Sequence, residues 1–589
     1  MQHINIIENP MKSNRKLILT IVFSVCAIAL FGFIQTAGAQ EITNVNGPVV
    51  NPYLASPLYA ITHFDSSQSD STPYGSQSGV FTVDITKRPI VYSGPVNIIT
   101  LASTNKNYMW GVGTYRVSYI NKADGKWTAV AKYEALADAS KGVFPAIPDE
   151  NFSIFGESSA VGMNASSMDS LLKNLFGENY LDRLWNGIYS LVDKDNVLYA
   201  SYNVSGIYAF ALNNPNEPSA GITKRYLLED AVTAIQGNNH QANTKISGLS
   251  MTYDGHIVIT FSNGVAVIDR DLNASSASFY KFGDDESVTN SIAIDENNDI
   301  YVASNTIMRK LVWNGTTLSD NMADGAWLCP YTHSVVPPAG KMGNGTGSTP
   351  TLMGFGNDPD KLVVITDGAK QTNLVALWRD NIASGSQRIA GQIPITCGFL
   401  SLPEWIQSEA SVVVYGYGAF VANEIPGTIS SDLEGQNLML NLTLLGPAYP
   451  GAYGVERVQW DTSTHQWSSV WARSDVETST GSTNSQSGNM AIVPGYRLPY
   501  GWEVLGLDWD TGKTVHHTIF GDKNFGNGAF AIPLQYLENG DLVFDSIVGP
   551  IRIHYATNPS TASAARFGDV ILKTDSSTGF VDFLKFQTF

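Results

Sequence analysis

The sequence predicts an all-β protein, a single large β-propeller, on three observations. A turn rich in Asp, Asn and Gly followed by a short apolar run recurs along the chain: DKDNVLYASY (193–202), YDGHIVITFSNGVAVID (253–269), DENNDIYVAS (295–304), NDPDKLVVITDG (357–368), SEASVVVYGYG (408–418) and LENGDLVFDS (537–546). Strand starts near Val117, Leu198, Ile257, Ile300, Leu362, Val412, Val455, Val504 and Leu542 are spaced by roughly 40 to 60 residues after a longer first gap, which is the period of a four-stranded blade. The chain has 53 glycines and 11% aromatic residues, and amphipathic helical patterns are scarce.

Each element has a physical reason. Asp, Asn and Gly tolerate the backbone of a tight turn. The β-branched and aromatic residues behind them fit a buried pleated surface. One four-stranded sheet cannot hide both faces, whereas a closed ring of such sheets does. A large β-sandwich is the rival, and it predicts strands every 8–12 residues or so without the longer period. Eight blades fit the spacing best and seven is the next count. The segment SSMDSLLKNLFGENYLDRLW (166–185) breaks the pattern, with Leu171, Leu172, Leu175 and Phe176 at helical spacing and Gly177 as a stop. It predicts a short helical insertion with an N-cap-like serine, lying against a blade edge or over the channel mouth.

The ends and the charge bound the rest. Lys12, Arg15 and Lys16, the apolar run LILTIVFSVCAIALFGFI (17–34) and Ala37-Gly38-Ala39 read as a signal peptide over 1–39, and an uncleaved anchor is the competing reading. An N-terminal extension is expected over 40–97 and the propeller over 98–589. Export to the periplasm or the extracellular space follows. Without the leader, 32 basic stand against 52 acidic groups, a net charge of −20. That charge disfavours nucleic acid and anionic membrane surfaces, and a monomer is expected. Cys329 and Cys397 remain after the leader and are free to form one disulfide. No C-x-x-C-H is present for c-type haem and no cysteine-rich zinc pattern occurs.

The phrase EVLGLDWDTGKTVHHTIFG (503–521), with its D-x-x-T-G turn between strands, resembles the blade repeat of the PQQ-like (quinoprotein-type) β-propeller superfamily. GSTPTLMG (347–354) before DKLVVIT resembles the opening of such blades. The pairing of THFDSSQSD with GTGSTPTL further resembles a group of exported bacterial propellers, a likeness that implies no activity. The resemblance implies fold alone. The superfamily's alcohol dehydrogenases set adjacent cysteines against the quinone; this chain has no Cys-Cys, so PQQ binding is not expected.

Two stretches carry candidate chemistry. In ITHFDSSQSD (61–70), His63, Asp65 and Asp70 lie within eight residues. A curved loop would aim them at one point: Asp65 and Asp70 as ligands of Ca²⁺ or another hard cation, and His63 as a base oriented by the aspartate beside it, acting with Asp367 around the bound cation. A turn whose side chains cap their own backbone is the competing reading. In GNGTGSTPT (343–351), Thr346, Ser348 and Thr349 would meet a ligand at close range. Asp367, at the end of the strand LVVIT and flanked by Asn373, reads either as a carboxylate at the channel mouth or as an ordinary turn aspartate. The buried tryptophans read as packing between blades, with a ligand-binding cleft as the rival. Three functions stay open: binding of a small ligand or polymer in the central channel, with or without a structural cation; an envelope lyase, hydrolase or oxidoreductase using His63, Asp65 and Asp367; and a protein-interaction scaffold.

Overall fold

The computed structural model describes residues 47–134, 146–238, 240–241, 243–334, 341–383, 385–434, 437–478, 481–528 and 534–555, with the backbone of Ala564–Phe567, Val570–Thr574 and Val581–Asp582. The leader expected over 1–39 lies outside the described residues. No described helix is long and apolar enough to cross a membrane.

Eight antiparallel meanders follow one another from Ile98 to Ile553, and a short three-stranded one, Ala564–Phe567, Val570–Thr574 and Val581–Asp582, comes after them. Blade 1 is Ile98–Ala102, Tyr108–Gly113, Val117–Asn121 and Thr128–Tyr133. Blade 2 opens with Ser190–Val192, blade 3 with Ile246–Met251, blade 4 with Ala293–Ile294 and blade 5 with Thr351–Met353. Blade 6 opens with Val413–Tyr415, blade 7 with Thr483–Ser485 and blade 8 with Gln535–Tyr536. Each opening strand is the innermost, because the opening strands of neighbouring blades touch one another.

The ring closes through eight apolar seams, which settles the blade number. Trp110 and Tyr119 of blade 1 meet Tyr202 and Phe210 of blade 2. Tyr199 meets Ile257 and Ile259 across seam 2–3. Val258 and Val265 meet Ile300 and Val302 across seam 3–4. Tyr301 and Met308 meet Val363 and Ile365 across seam 4–5. Leu362 and Val364 meet Val414 and Val458 across seam 5–6. Phe420 and Val455 meet Val493 and Leu505 across seam 6–7. Trp502 and Val504 meet Phe544 and Ile551 across seam 7–8. Leu537 and Val543 meet Met109, Ile120 and Trp127 across seam 8–1. Strand alternation explains the pattern: Ile257 and Ile259 point into one seam and Val258 into the next, so both faces of each blade are buried and the strands read as continuous apolar runs.

The segment before blade 1 is woven into this ring. Ser71–Thr72 pairs in parallel with the innermost strand of blade 7, and Gly79–Thr82 pairs in parallel with that blade's outermost strand, Thr514–Gly521. Ile90 then bridges Ile551, and Val91 and Ser93 donate to Pro550 and Val548, beside the third strand of blade 8. The segment ahead of blade 1 is thus paired with blades 7 and 8.

The helical insertion is larger than the sequence indicates. Asp149–Ala160, Ala165–Phe176 and the single turn Tyr180–Arg183 pack with Leu438–Leu444, an insertion of blade 6, on Val96, Phe525 and Val548. The N-cap of Ala165–Phe176 is Asn164, whose side chain accepts from Ser167 N–H at 2.9 Å, and not a serine. Asn164 holds the extended backbone that a cap needs. Gly177 ends the helix at φ 94°, as expected.

Candidate functional site

The central channel is filled by the protein's own chain. Residues 51–70 run along the axis and bond to the inner edge of every blade. Tyr59 O accepts from Ala102 N–H of blade 1 at 2.7 Å and Ala60 O from Val192 N–H of blade 2 at 2.8 Å. Asn51 Nδ2 donates to Met251 O of blade 3 at 2.9 Å. Ser66 O, Ser67 O, Ser69 O and Asp70 O accept from Ile294, Leu352, Val414 and Asn484 of blades 4, 5, 6 and 7 at 2.9, 2.9, 3.0 and 2.9 Å. Tyr59 Oη donates to Tyr536 O of blade 8 at 2.9 Å. Reaching these edges forces Tyr59, His63, Phe64, Gln68 and Asp70 to positive φ, a conformation that non-glycine residues hold when their surroundings over-determine it.

This plug overturns the expected cation site and the expected acid–base group. The Asp65 carboxylate accepts from Ser67 N–H at 2.8 Å and from the Ser67 and Ser69 hydroxyls. Burial raises its pKa and those bonds oppose the rise. Asp70 is paired with His63 instead. Both aspartates are thus occupied by protein donors, and no metal-holding group of three or more His, Cys, Asp or Glu occurs among the described residues. Asp367 does not join His63. Its carboxylate accepts from Asn373 N–H, Asn373 Nδ2 and Ala369 N–H at 2.8, 2.7 and 3.1 Å, which makes it the aspartate of a hairpin turn.

The other candidates are also engaged internally. Thr346 N–H donates to Tyr331 Oη at 2.9 Å, Ser348 Oγ to Ala410 O at 2.8 Å and Thr349 Oγ1 to Asn290 Oδ1 at 2.7 Å. Gly347 serves close packing, since a Cβ there would lie 2.5 Å from Ser408 O. Cys329 and Cys397 are free thiols in different seams, Cys329 on an edge strand of blade 4 and Cys397 buried between blades 5 and 6. The tryptophans fasten blades together: Trp327 Nε1 donates to Arg379 O and Trp471 Nε1 to Trp509 O, both at 2.8 Å.

One constellation with chemical capacity survives. His63 Nδ1 lies 3.0 and 2.9 Å from the two oxygens of Asp70. Burial raises the Asp70 pKa and His63 opposes the rise; with Asp70 ionised and the imidazole neutral, the ring proton sits on Nδ1 and Nε2 is an acceptor. Nε2 faces Ser411 Oγ at 3.4 Å. His63 and Asp70 were legible in the sequence, but Ser411 was not, because it lies 348 residues away and reaches the axis through blade 6. All three are buried, with Ser411 the least so at 8% exposure.

A small cleft of about 30 Å³ opens on the face where the chain enters the innermost strands. Trp185, Ile188, Tyr189, Val204, Lys245 and Thr289 line it. One wall adjoins the plug, since the carbonyl of Ile188, which lines the cleft, lies 3.5 Å from Thr62 Oγ1. Lys245 Nζ stands 4.5 Å from the centre of the Trp185 ring and has no hydrogen-bond or ion-pair partner among the described residues. Burial lowers its pKa and the nearby Glu409 carboxylate opposes that. Glu409 is itself buried, 3.6 Å from Lys341 Nζ, with one carboxylate oxygen unpartnered. Neither lysine nor glutamate was singled out from the sequence; each is an isolated charge in an apolar or small-residue context, and its meaning comes from the seam it occupies.

No family model matches the chain. An uncharacterized protein of Archaeoglobus fulgidus is 32% identical over 285 residues, which cover 46% of this chain and 53% of that protein. The chain thus spans about half the length of the curated relative it matches. Among solved structures, a functionally unknown protein from Desulfotomaculum acetoxidans aligns over 71% of this chain and 94% of its own, at 9% identity and a TM-score of 0.33. A putative 6-phosphogluconolactonase from Bacteroides uniformis aligns over 66% and 89%, at 10% identity and 0.33. The Pan2 WD40 domain of Neurospora crassa aligns over 61% and 85%, at 8% identity and 0.31. Likenesses this loose carry no argument, and the assignment as an eight-bladed β-propeller rests on the closed ring of seams.

Proposed function

We propose that the protein is an exported, monomeric β-propeller that binds a small flat anion, such as a ring-bearing carboxylate, against the rim of the cleft at the channel mouth. The plug excludes a ligand from the channel itself, so the mouth is the remaining axial site. One observation carries the reading: a partly buried ammonium, Lys245, lies over an indole in an apolar cleft and lacks a protein counter-ion. An aromatic carboxylate supplies both the apolar face and the missing charge. The leader-like residues 1–39 support export. The Asp508–Gly512 turn, where Thr511 N–H and Oγ1 bond Asp508 and Gly512 sits beneath the Trp471 ring, supports placement in the PQQ-like group. A scaffold would favour a broad apolar patch, whereas the exposed Met322, Leu400 and Leu498 lie on loops of separate blades.

Benzoate is expected to raise the melting temperature in a saturable way and benzamide, its neutral counterpart, to have no effect. Lys245→Met removes the benzoate response. Equal responses to the two compounds, or an unchanged response in Lys245→Met, reject the reading.

The Asp70–His63–Ser411 relay favours a second reading, an acyl hydrolase. Ser411 Oγ would attack an ester carbonyl while its proton passes to His63 Nε2. His63 then returns the proton to the leaving alcohol, and water cleaves the acyl-serine by the same route. A fluorophosphonate probe is expected to label Ser411, about 100-fold more slowly in His63→Gln and not at all in Ser411→Ala. A wild-type protein that resists labelling ends this reading and leaves the relay as a structural bond.

A further inference from the structure

We infer that the opposite face carries a second binding site, at the seam where the ring closes, and that its ligand is an acidic sugar. A cleft of about 220 Å³ lies there, on the side of the loops that follow the innermost strands. Its walls come from three parts of the molecule: Tyr59 and Tyr74 from the plug and its exit, Lys106, Tyr108 and Lys122 from blade 1, and Glu538 from blade 8.

The chemistry of these walls selects the ligand. Lys122 is half-buried, and burial lowers its pKa while Glu538 opposes the shift. Its ammonium has no hydrogen-bond or ion-pair partner among the described residues. The neighbouring Arg552 cannot serve in its place, because its guanidinium is committed to Asp541 at 2.6 Å and to the carbonyls of Lys122 and Lys126 at 2.7 and 3.0 Å. Lys106 is exposed at the rim, likewise without an ion-pair partner among the described residues. Two unpaired cations in one concavity are unusual on a chain whose formal net charge is −18. They favour an anionic guest.

The remaining groups suit a pyranose ring. Tyr108 is held flat against Tyr119, with ring centres 4.9 Å apart and planes 10° apart, so it offers a rigid face to sugar C–H groups. Glu538, which accepts from Tyr74 Oη at 3.4 Å, offers carboxylate oxygens to sugar hydroxyls. A carboxylate on the ring would reach Lys122 and Lys106 as charge-assisted partners. Because the guest touches blade 1, blade 8 and the plug at once, its binding stabilises the closed ring by mass action.

Galacturonate and galactose, which differ in that carboxylate, are the matched probes for calorimetric titration and thermal melting. Galacturonate is expected to bind and, at a hundredfold excess over its Kd, to raise the melting temperature by about 2 °C; galactose is expected to do neither. Lys122→Met should weaken galacturonate at least tenfold. Lys245→Met, on the other face, should leave it unchanged, which separates this site from the mouth cleft. Tighter binding of the galacturonate trimer would mark a polymer as the natural guest, and equal binding a monosaccharide; either supports an acidic-sugar site. Equal binding of galactose, no binding of galacturonate, or loss through Lys245→Met in place of Lys122→Met overturns the inference.

Discussion

Tyr59→Ala is expected to lower the free energy of unfolding by about 4 kcal/mol, and Tyr59→Phe by about 2 kcal/mol. Tyr59 is 5% exposed and stands edge-on to Phe64, with ring centres 4.7 Å apart. Its hydroxyl lies 2.7 Å from Thr72 Oγ1, donates to Tyr536 O at 2.9 Å and accepts from Tyr536 N–H at 3.1 Å. One phenol therefore ties the plug to the innermost strand of blade 8. Removing the oxygen leaves two buried backbone groups of Tyr536 without that partner, which costs about 1–3 kcal/mol. Removing the ring adds a cavity at the axis. The positive φ of Tyr59 gives a control: Tyr59→Gly removes the same contacts but relieves about 1 kcal/mol of backbone strain, so it should be less damaging than alanine. Urea denaturation of the three variants measures the series. A loss below about 1 kcal/mol in Tyr59→Ala would show that the plug is an ornament in an otherwise self-sufficient ring.

The ring was legible because its cause is local. The turn-and-strand phrases at 193–202, 295–304, 357–368 and 537–546 are the second strands of blades 2, 4, 5 and 8 with the turns before them, and 253–269 holds the second and third strands of blade 3. Val412 and Val455 were counted as separate repeats, yet both belong to blade 6, because an insertion with its own helix, Leu438–Leu444, separates strands that pair directly. That helix, LMLNLTL, carries the residues of a buried strand and owes its form to the apolar bed formed by the other helices. The plug was illegible for the opposite reason. THFDSSQSD is polar because its partners are strand edges up to hundreds of residues away, and a polar run meeting distant backbone looks like one meeting solvent or a cation. The sequence singled out His63 and Asp70 by type; their pairing, the diversion of Asp65 to its own turn and the arrival of Ser411 depend on the register of eight blades.

The seam between blades 8 and 1 should also make stability fall as pH rises. Asp545, on the second strand of blade 8, is buried, and burial pushes its pKa up to about 7. Its partners are the N–H and hydroxyl of Thr100 on the innermost strand of blade 1, each 3.1 Å from Oδ2, and no cation pairs with it among the described residues. The folded protein therefore keeps a proton that the unfolded chain releases near pH 4. The stabilising contribution is complete below pH 4 and is lost as pH rises through about 7. The size follows from the roughly three-unit gap, about 4 kcal/mol at pH 8. Asp545→Asn keeps the shape and the acceptor for Thr100 but cannot ionise. It should match the wild type near pH 4 and exceed it by about 4 kcal/mol at pH 8. His516, whose pKa burial lowers to about 4, acts in the opposite sense, destabilising the fold as pH falls from about 6.5 towards 4. The decisive readout is consequently the difference between Asp545→Asn and wild type at each pH, in which the His516 contribution cancels. A difference that stays flat from pH 4 to 8 would mean that Asp545 is ionised in the folded ring, with water or a counter-ion reaching the closure seam.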